Sequence, residues 1–152
     1  MLDEEKIKRR VTRIIAATRF PFVDQEDWPD DYVTITNDSE GRWGIEAPWG
    51  AVYPSIVIVD EEGRMREVGE VETQGTVTEA QVAKWRLLSE RTGMGRRTKK
   101  FFLYVPEGKE REAERLLEEN GISYAGLRTW AIKGGDLVVT PIKTPDEPKD
   151  HR

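Results

Sequence analysis

Two β-branched runs, Ser55-Ile-Val-Ile-Val59 and Arg66-Glu-Val-Gly-Glu-Val-Glu-Thr73, flank the short turn Asp60-Glu-Glu-Gly63. A connection this short predicts an antiparallel hairpin. The elements beyond the hairpin decide the fold class. Thr76 or Thr78 offers a helix N-cap with Glu79 or Gln81 three residues on, and Val82, Trp85 and Leu88 share one face of a helix to about Glu90. After a loop over 91–100 comes an apolar strand, Phe101 to Val105, stopped by Pro106 and Gly108. A third helix spans about Lys109 to Asn120, with Ala113, Leu116 and Leu117 inward and Gly121 as a left-handed cap. Strands Leu127 to Ile132 and Leu137 to Ile142 close the chain around Gly134-Gly135. A hairpin that feeds a strand, helix, strand crossover gives an α/β fold, a mixed β-sheet flanked by helices on two sides.

Upstream, Ile7, Val11, Ile14, Ile15 and Thr18 recur at helical spacing, with Lys8, Arg9, Arg10 and Arg13 on the other face. The acidic, Pro-containing stretch Asp24 to Asp31 interrupts that helix. Tyr32 to Thr36 reads as a strand ending in the turn Asn37 to Gly41, with Arg42 to Glu46 as its expected hairpin partner. Gly44, Pro48 and Gly50, set among Trp43, Trp49 and Tyr53, predict an irregular aromatic segment. At 152 residues the chain fits one domain, expected over 1–142, with a Pro- and charge-rich tail over 143–152.

Composition narrows the chemistry. The chain has no cysteine, and its only histidine, His151, lies in the tail. Thiolate catalysis, disulfide scaffolds, cysteine zinc sites and Ser-His-Asp triads are therefore excluded. Any catalysis has to use carboxylates, Lys, Tyr, Ser/Thr or a hard cation. No apolar run approaches the ~20 residues of a membrane helix, and Met-Leu-Asp-Glu-Glu lacks the basic-then-apolar order of a signal peptide. The expectation is a cytoplasmic protein without a membrane partner.

Within the second hairpin strand, Glu70 and Glu72 project on one face, about 7 Å apart along the backbone, while Val71 faces the other side. Two carboxylates so placed suit a hard cation, and they equally suit a solvated strand face in a chain with 29 acidic residues. Asp60 is a poor third ligand. It lies five residues from Ser55, roughly 17 Å at strand rise, and alternation puts it on the opposite face.

The hairpin Tyr53-Pro54-Ser55 through Glu70-Val71-Glu72, followed by Gln81-Val-Ala-Lys-Trp85, resembles the PD-(D/E)xK nuclease superfamily of restriction endonuclease-like and Holliday-junction resolvase-like domains. In that superfamily the first strand opens with Pro-Asp and the second carries acid-x-Lys, and one branch adds Gln-x-x-x-aromatic in the next helix. The resemblance covers roughly 1–142 and implies a restriction endonuclease-like sheet. It also implies a Mg²⁺- or Mn²⁺-dependent hydrolase cutting phosphodiesters, with Glu70, Glu72 and Ser55 at the metal and Glu70, Glu72 and Gln81 as the catalytic set. Two positions depart from the pattern. Ser55 stands where an acid should bridge metals, and a neutral hydroxyl is a poorer Mg²⁺ ligand than a carboxylate. Glu72 replaces the lysine, in a place where a glutamate suits a water-orienting base.

Around this motif each residue carries a plainer alternative. Lys84 is a displaced lysine or, the preferred reading, a solvated helix residue. Gln81 is a positioning group or the third residue of a Thr78 capping box. Trp85 reads as core. Glu4 is an extra ligand or, preferentially, an acid favoured at a helix N-terminus. From Gln81 to Lys100 there are seven basic residues and only Glu90 as an acid, a net +6 in a protein of net charge −5. Arg91, Arg96, Arg97, Lys99 and Lys100 are thus the expected nucleic-acid contacts. The alternative is a non-catalytic binding or assembly module on the same fold, using that loop or the Trp43/Trp49 segment. DNA versus RNA, and pairing as a homodimer, stay open.

Overall fold

The computed structural model describes residues 3–20, 32–38, 40–92 and 100–145. Helix α1 (Glu4–Arg19) starts at Asp3, whose side chain accepts from the Glu5 N–H, with Glu4 and Glu5 in the positive first turn. Strands β1 (Val33–Thr36), β4 (Ile56–Val59) and β5 (Met65–Val71) pair antiparallel, in the spatial order β1-β4-β5. A 3₁₀ turn (Glu79–Gln81) leads into α2 (Val82–Thr92). Strand β6 (Phe101–Pro106) then adds parallel to β5, α3 (Glu110–Glu119) crosses back, and β7 (Gly126–Lys133) adds parallel to β6. Strand β8 (Asp136–Lys143) returns antiparallel as the sheet edge.

The six-stranded mixed sheet buries both faces of its central strands, whereas β1 and β8 at its edges are largely exposed. Alternation along β6 sends Phe101, Leu103 and Val105 to one side, where Trp85 and Leu88 of α2 and Leu116 and Leu117 of α3 meet them. Phe102 and Tyr104 go to the other side, against Val11 and Ile15 of α1 and Phe20 just beyond it. Parallel strands covered on both faces read as continuous apolar runs, and all six residues of β6 are buried. Gly121, at φ +63°, ends α3 in the left-handed conformation its sequence predicts.

Three expectations need correction. The residues after Asn37 do not pair with β1. Instead β2 (Ile45–Ala47) and β3 (Gly50–Val52) form a separate two-stranded sheet, and β1 takes β4 as its neighbour. The segment around Gly50 expected to be irregular thus supplies a strand. Thr18 faces outward and donates to the Ile14 carbonyl, so the buried stripe of α1 is Val11, Thr12, Ile15 and Ala16. The stretch 24–31 lies outside the described residues.

Asp60 organises the hairpin turn. Its carboxylate accepts from the backbone N–H groups of Glu62 and Arg64 and from the Nε atoms of Arg64 and Arg66, each at 2.9–3.0 Å. A bulge at Ile58/Val59 leaves Arg66 without a partner in register and brings its guanidinium to this acid. Burial alone would raise the Asp60 pKa, but these donors outweigh it and hold the group down at about 2. Asp60 is thus committed to the turn and away from Ser55, as alternation requires. Because its folded pKa lies below the ordinary value, its contribution is present above about pH 4 and lost as pH falls toward 2. Melting curves from pH 5 to 2 should therefore fall less steeply for Asp60→Asn than for the wild type, and parallel curves would remove this assignment.

Candidate functional site

Glu70 and Glu72 converge because strand alternation and register leave no other arrangement. Ile56 pairs with Gly69, which sets Ser55 at the mouth of β4 opposite Glu70. The Ser55 backbone N–H and Oγ both donate to Glu70 Oε1, at 2.7 and 3.0 Å, and the Val71 N–H donates to Ser55 Oγ at 3.1 Å. Ser55 thus orients Glu70 by hydrogen bonds.

The third charged member is Lys84, from the first turn of α2. Its Nζ lies 2.7 Å from Glu70 Oε2 and 3.1 Å from Glu72 Oε2. The reading of Lys84 as a solvated helix residue is corrected: its side chain is only 18 % exposed, against 1 % for Glu70 and 0 % for Glu72. Helix α2 packs on β5 through Trp85, and the residue before that tryptophan is carried over the ends of the two glutamates. Trp85, a core residue as expected, also donates from Nε1 to Glu72 Oε2 at 2.7 Å. Gln81 Nε2 reaches Glu72 Oε1 at 3.4 Å. The Thr78 capping box does not form, since Thr78 makes no side-chain cap. Sequence held a signal for this set: Gln81, Lys84 and Trp85 are spaced i, i+3, i+4 on one helical face.

The electrostatics divide the two acids. Burial raises both pKa values, as it must for carboxylates taken out of water. For Glu70 the charges of Lys84 and Lys8, with hydrogen bonds from Lys84 and Ser55, prevail and bring the group below its ordinary value. For Glu72 burial, reinforced by the negative charge of Glu70, prevails over Lys84 and Trp85 and leaves it raised. Lys84, despite its burial, is held firmly protonated by the two acids. The result is two acids whose pKa values are pushed in opposite directions around one ammonium, all within hydrogen-bond reach.

The backbone at Glu72 is hydrogen-bonded on both sides. Trp130 Nε1 donates to the Glu72 carbonyl at 3.0 Å, and the Glu72 N–H donates to Tyr104 O at 2.8 Å. Glu4 does not join the cluster. It accepts from the Gly75 N–H at 3.2 Å and tethers α1 to the turn after Glu72. Among the described residues no group of three or more His, Cys, Asp or Glu side chains that could hold a metal ion forms.

The basic stretch is only partly in view. Arg96, Arg97 and Lys99 lie outside the described residues. Arg91 is exposed at the end of α2. Lys100 is 9 % exposed at the foot of β6, a correction to its place on an open basic surface. Arg86 donates to the Asn120 carbonyl at the end of α3, and Lys84 is turned inward, so two more of the seven cations serve internal contacts. No described helix is long and apolar enough to cross a membrane. Comparisons of this chain with protein-family models, with curated proteins and with solved structures return no match, so the candidate site stands on its own geometry.

Proposed function

We propose that the protein is a nucleic-acid-binding domain of the PD-(D/E)xK type, a hydrolase that cuts phosphodiesters with Mg²⁺ or Mn²⁺ and takes its lysine from α2 instead of from the hairpin strand. One observation carries the reading: Lys84 Nζ meets both Glu70 and Glu72 at the end of β5. The succession α1, β1, β4, β5, α2, β6, with β1, β4 and β5 antiparallel and β6 added parallel, supports a restriction endonuclease-like core.

The donor set suits a hard cation in kind. Mg²⁺ is commonly held by one or two carboxylates with water completing its shell, and Glu70 and Glu72 are two carboxylates at one place. These two would hold it, and when bound it would supply Lewis-acid stabilisation and an activated water. The chain's own residues prepare the rest. Ser55 fixes the direction of Glu70, and Trp85 and Gln81 fix that of Glu72. Burial raises the Glu72 pKa above the ordinary carboxylate value, the direction that favours a proton acceptor. Lys84 places a positive charge where negative charge would build on a phosphoryl group.

A second reading, a non-catalytic binding module, is favoured by the same lysine viewed differently. Its ammonium already pairs with both acids and offsets one of their two charges, and Ser55 supplies no third carboxylate. Two measurements decide. A divalent ion bound only by the folded chain should raise the melting temperature, by about 2.7 kcal/mol of stability at a hundredfold excess over Kd. This shift is expected in the wild type and absent in Glu70→Ala. Supercoiled plasmid and labelled single strands incubated with Mn²⁺ should be cut, and faster by Ser55→Asp. Equal thermal shifts in wild type and Glu70→Ala, or a metal-binding Ser55→Asp that cuts neither substrate, would leave the binding module as the better description.

A further inference from the structure

A cleft lies at the opposite ends of the elements that build the acid pair. It has a volume of about 650 Å³ and is lined by Trp43, Ile45, Arg64, Met65, Arg66 and Arg91. Arg66 precedes Glu70 by four residues of β5, about 13 Å at strand rise. Arg91 follows Lys84 by seven residues of α2, about 10 Å at helical rise. The cleft is therefore separate from the acid pair yet tied to it by the same strand and the same helix.

Its aromatic wall is fixed in place. The indole Nε1 of Trp43 donates to the Gly63 carbonyl at 3.0 Å. Its backbone N–H donates to Asn37 Oδ1 at 3.1 Å, and its carbonyl accepts from Asn37 Nδ2 at 2.9 Å. The cationic wall is fixed as well, because Asp60 holds the Nε atoms of Arg64 and Arg66. Asp60 and Glu62 offset two of the three arginine charges, which leaves the cleft with a net positive charge. A pinned indole, apolar walls from Ile45 and Met65 and planar guanidinium groups together match a ligand with a flat aromatic ring and an attached anion.

We propose that this cleft binds one nucleotide of a single-stranded nucleic acid, its base against Trp43 and its phosphate on Arg66 and Arg91. A single strand is favoured over a duplex because a base stacked in a helix has no free face to offer an indole. An acidic peptide would satisfy the arginines but leave the indole and apolar walls without a matching group. The inference stands apart from the metal-site reading, since binding here needs neither Glu70 nor a cation.

The test is fluorescence anisotropy of labelled oligonucleotides at low salt in EDTA, so that cleavage plays no part. The wild type should bind a short single strand, and bind an abasic strand of equal length and charge about tenfold more weakly, within the range measured for aromatic stacking. Arg91→Glu, on an exposed helix end, should weaken both strands. Trp43→Tyr should keep the preference for the base-bearing strand, and Trp43→Ala should abolish it. The Tyr variant guards against misfolding of the Ala variant, because Trp43 also packs on the core. Equal binding of the two strands by the wild type, no change in Arg91→Glu, or displacement by poly-glutamate as effective as by the single strand would each overturn the proposal. Binding in EDTA with no cleavage in Mn²⁺ would leave this cleft standing and remove the nuclease reading, whereas cleavage with equal binding of both strands would do the reverse.

Discussion

Lys84→Met is expected to destabilise the fold by about 3–5 kcal/mol, the range for removing one partner of a buried ion pair. For a chain of this size that corresponds to a melting temperature lower by on the order of 10 °C. The reason is the company Lys84 keeps. Glu70 and Glu72 are 1 % and 0 % exposed, and methionine leaves two carboxylates facing each other without a cation. The deficit should depend on pH with a definite sign. In the variant both acids have folded pKa values raised by burial and mutual repulsion, so the folded chain binds protons more readily than the unfolded one. Its shortfall against the wild type should shrink as pH falls from 8 toward 5. Adding Glu70→Gln and Glu72→Gln to Lys84→Met should recover part of the loss at pH 8. Urea titrations across that range decide the matter: a deficit below about 1 kcal/mol, or one indifferent to pH, would mean that the three groups are not in contact in solution.

A comparable loss is expected on the far side of the sheet, from a contact that involves no charge. Phe20 is fully buried, meets Phe102 edge-on at 6.3 Å between ring centroids, and lies 6.4 Å from Tyr104. Gly69 makes room for it: a Cβ at this position would stand 2.7 Å from Phe20 Cζ. Phe20→Ala should cost about 3–5 kcal/mol through lost burial and a residual cavity. Gly69→Ala should cost about 1–3 kcal/mol, because the ring has to shift in a close-packed layer. The two costs should not add. With Phe20 already cut to Ala, the new methyl group enters space that the ring has vacated, and Gly69→Ala becomes nearly neutral. A denaturant-based double-mutant cycle measures this directly, and full additivity would show that the ring does not sit over Gly69.

The residues that make Gly69 and Glu70 neighbours also explain what the sequence makes legible. The alternation Val68, Glu70, Glu72 against Gly69, Val71 follows from strand geometry alone, so the shared face of the two acids is readable without coordinates. The α3 boundaries and the β7–β8 hairpin are legible for a similar reason: Gly121 and Gly134-Gly135 are positions where the backbone takes positive φ. The partner of β1 is not legible. Local turn chemistry after Asn37 suggests a hairpin, but Asn37 spends its amide on the carbonyls of Trp43 and Pro54, which carries the chain past β1 and leaves that edge for β4. Lys84 shows the same limit in the site. Its helical face is readable from Gln81 and Trp85, yet whether that face meets solvent or the glutamates depends on how α2 docks, and docking is a tertiary property. The local charge of the basic stretch is likewise an incomplete guide, because Lys84 turns inward to the two acids and Arg86, though exposed, holds the Asn120 carbonyl, each contact distant in sequence.

The order in which contacts close along the chain has its own consequence. Lys84 and Glu70 are 14 residues apart, whereas Trp130, which donates to the carbonyl of Glu72, is 58 residues beyond it. Loop-closure entropy grows with the logarithm of the span, so the shorter connection is favoured by about 1 kcal/mol. A folding chain therefore brings acid and ammonium together while both still carry their hydration, in a unit made of one hairpin and one helix. Water is expelled from them only later, when β6 is laid against β5 and β7 against β6. The penalty for dehydrating the charges then falls on the late step, the addition of parallel strands, and any change that unbalances those charges should slow the completion of the sheet more than the formation of the hairpin.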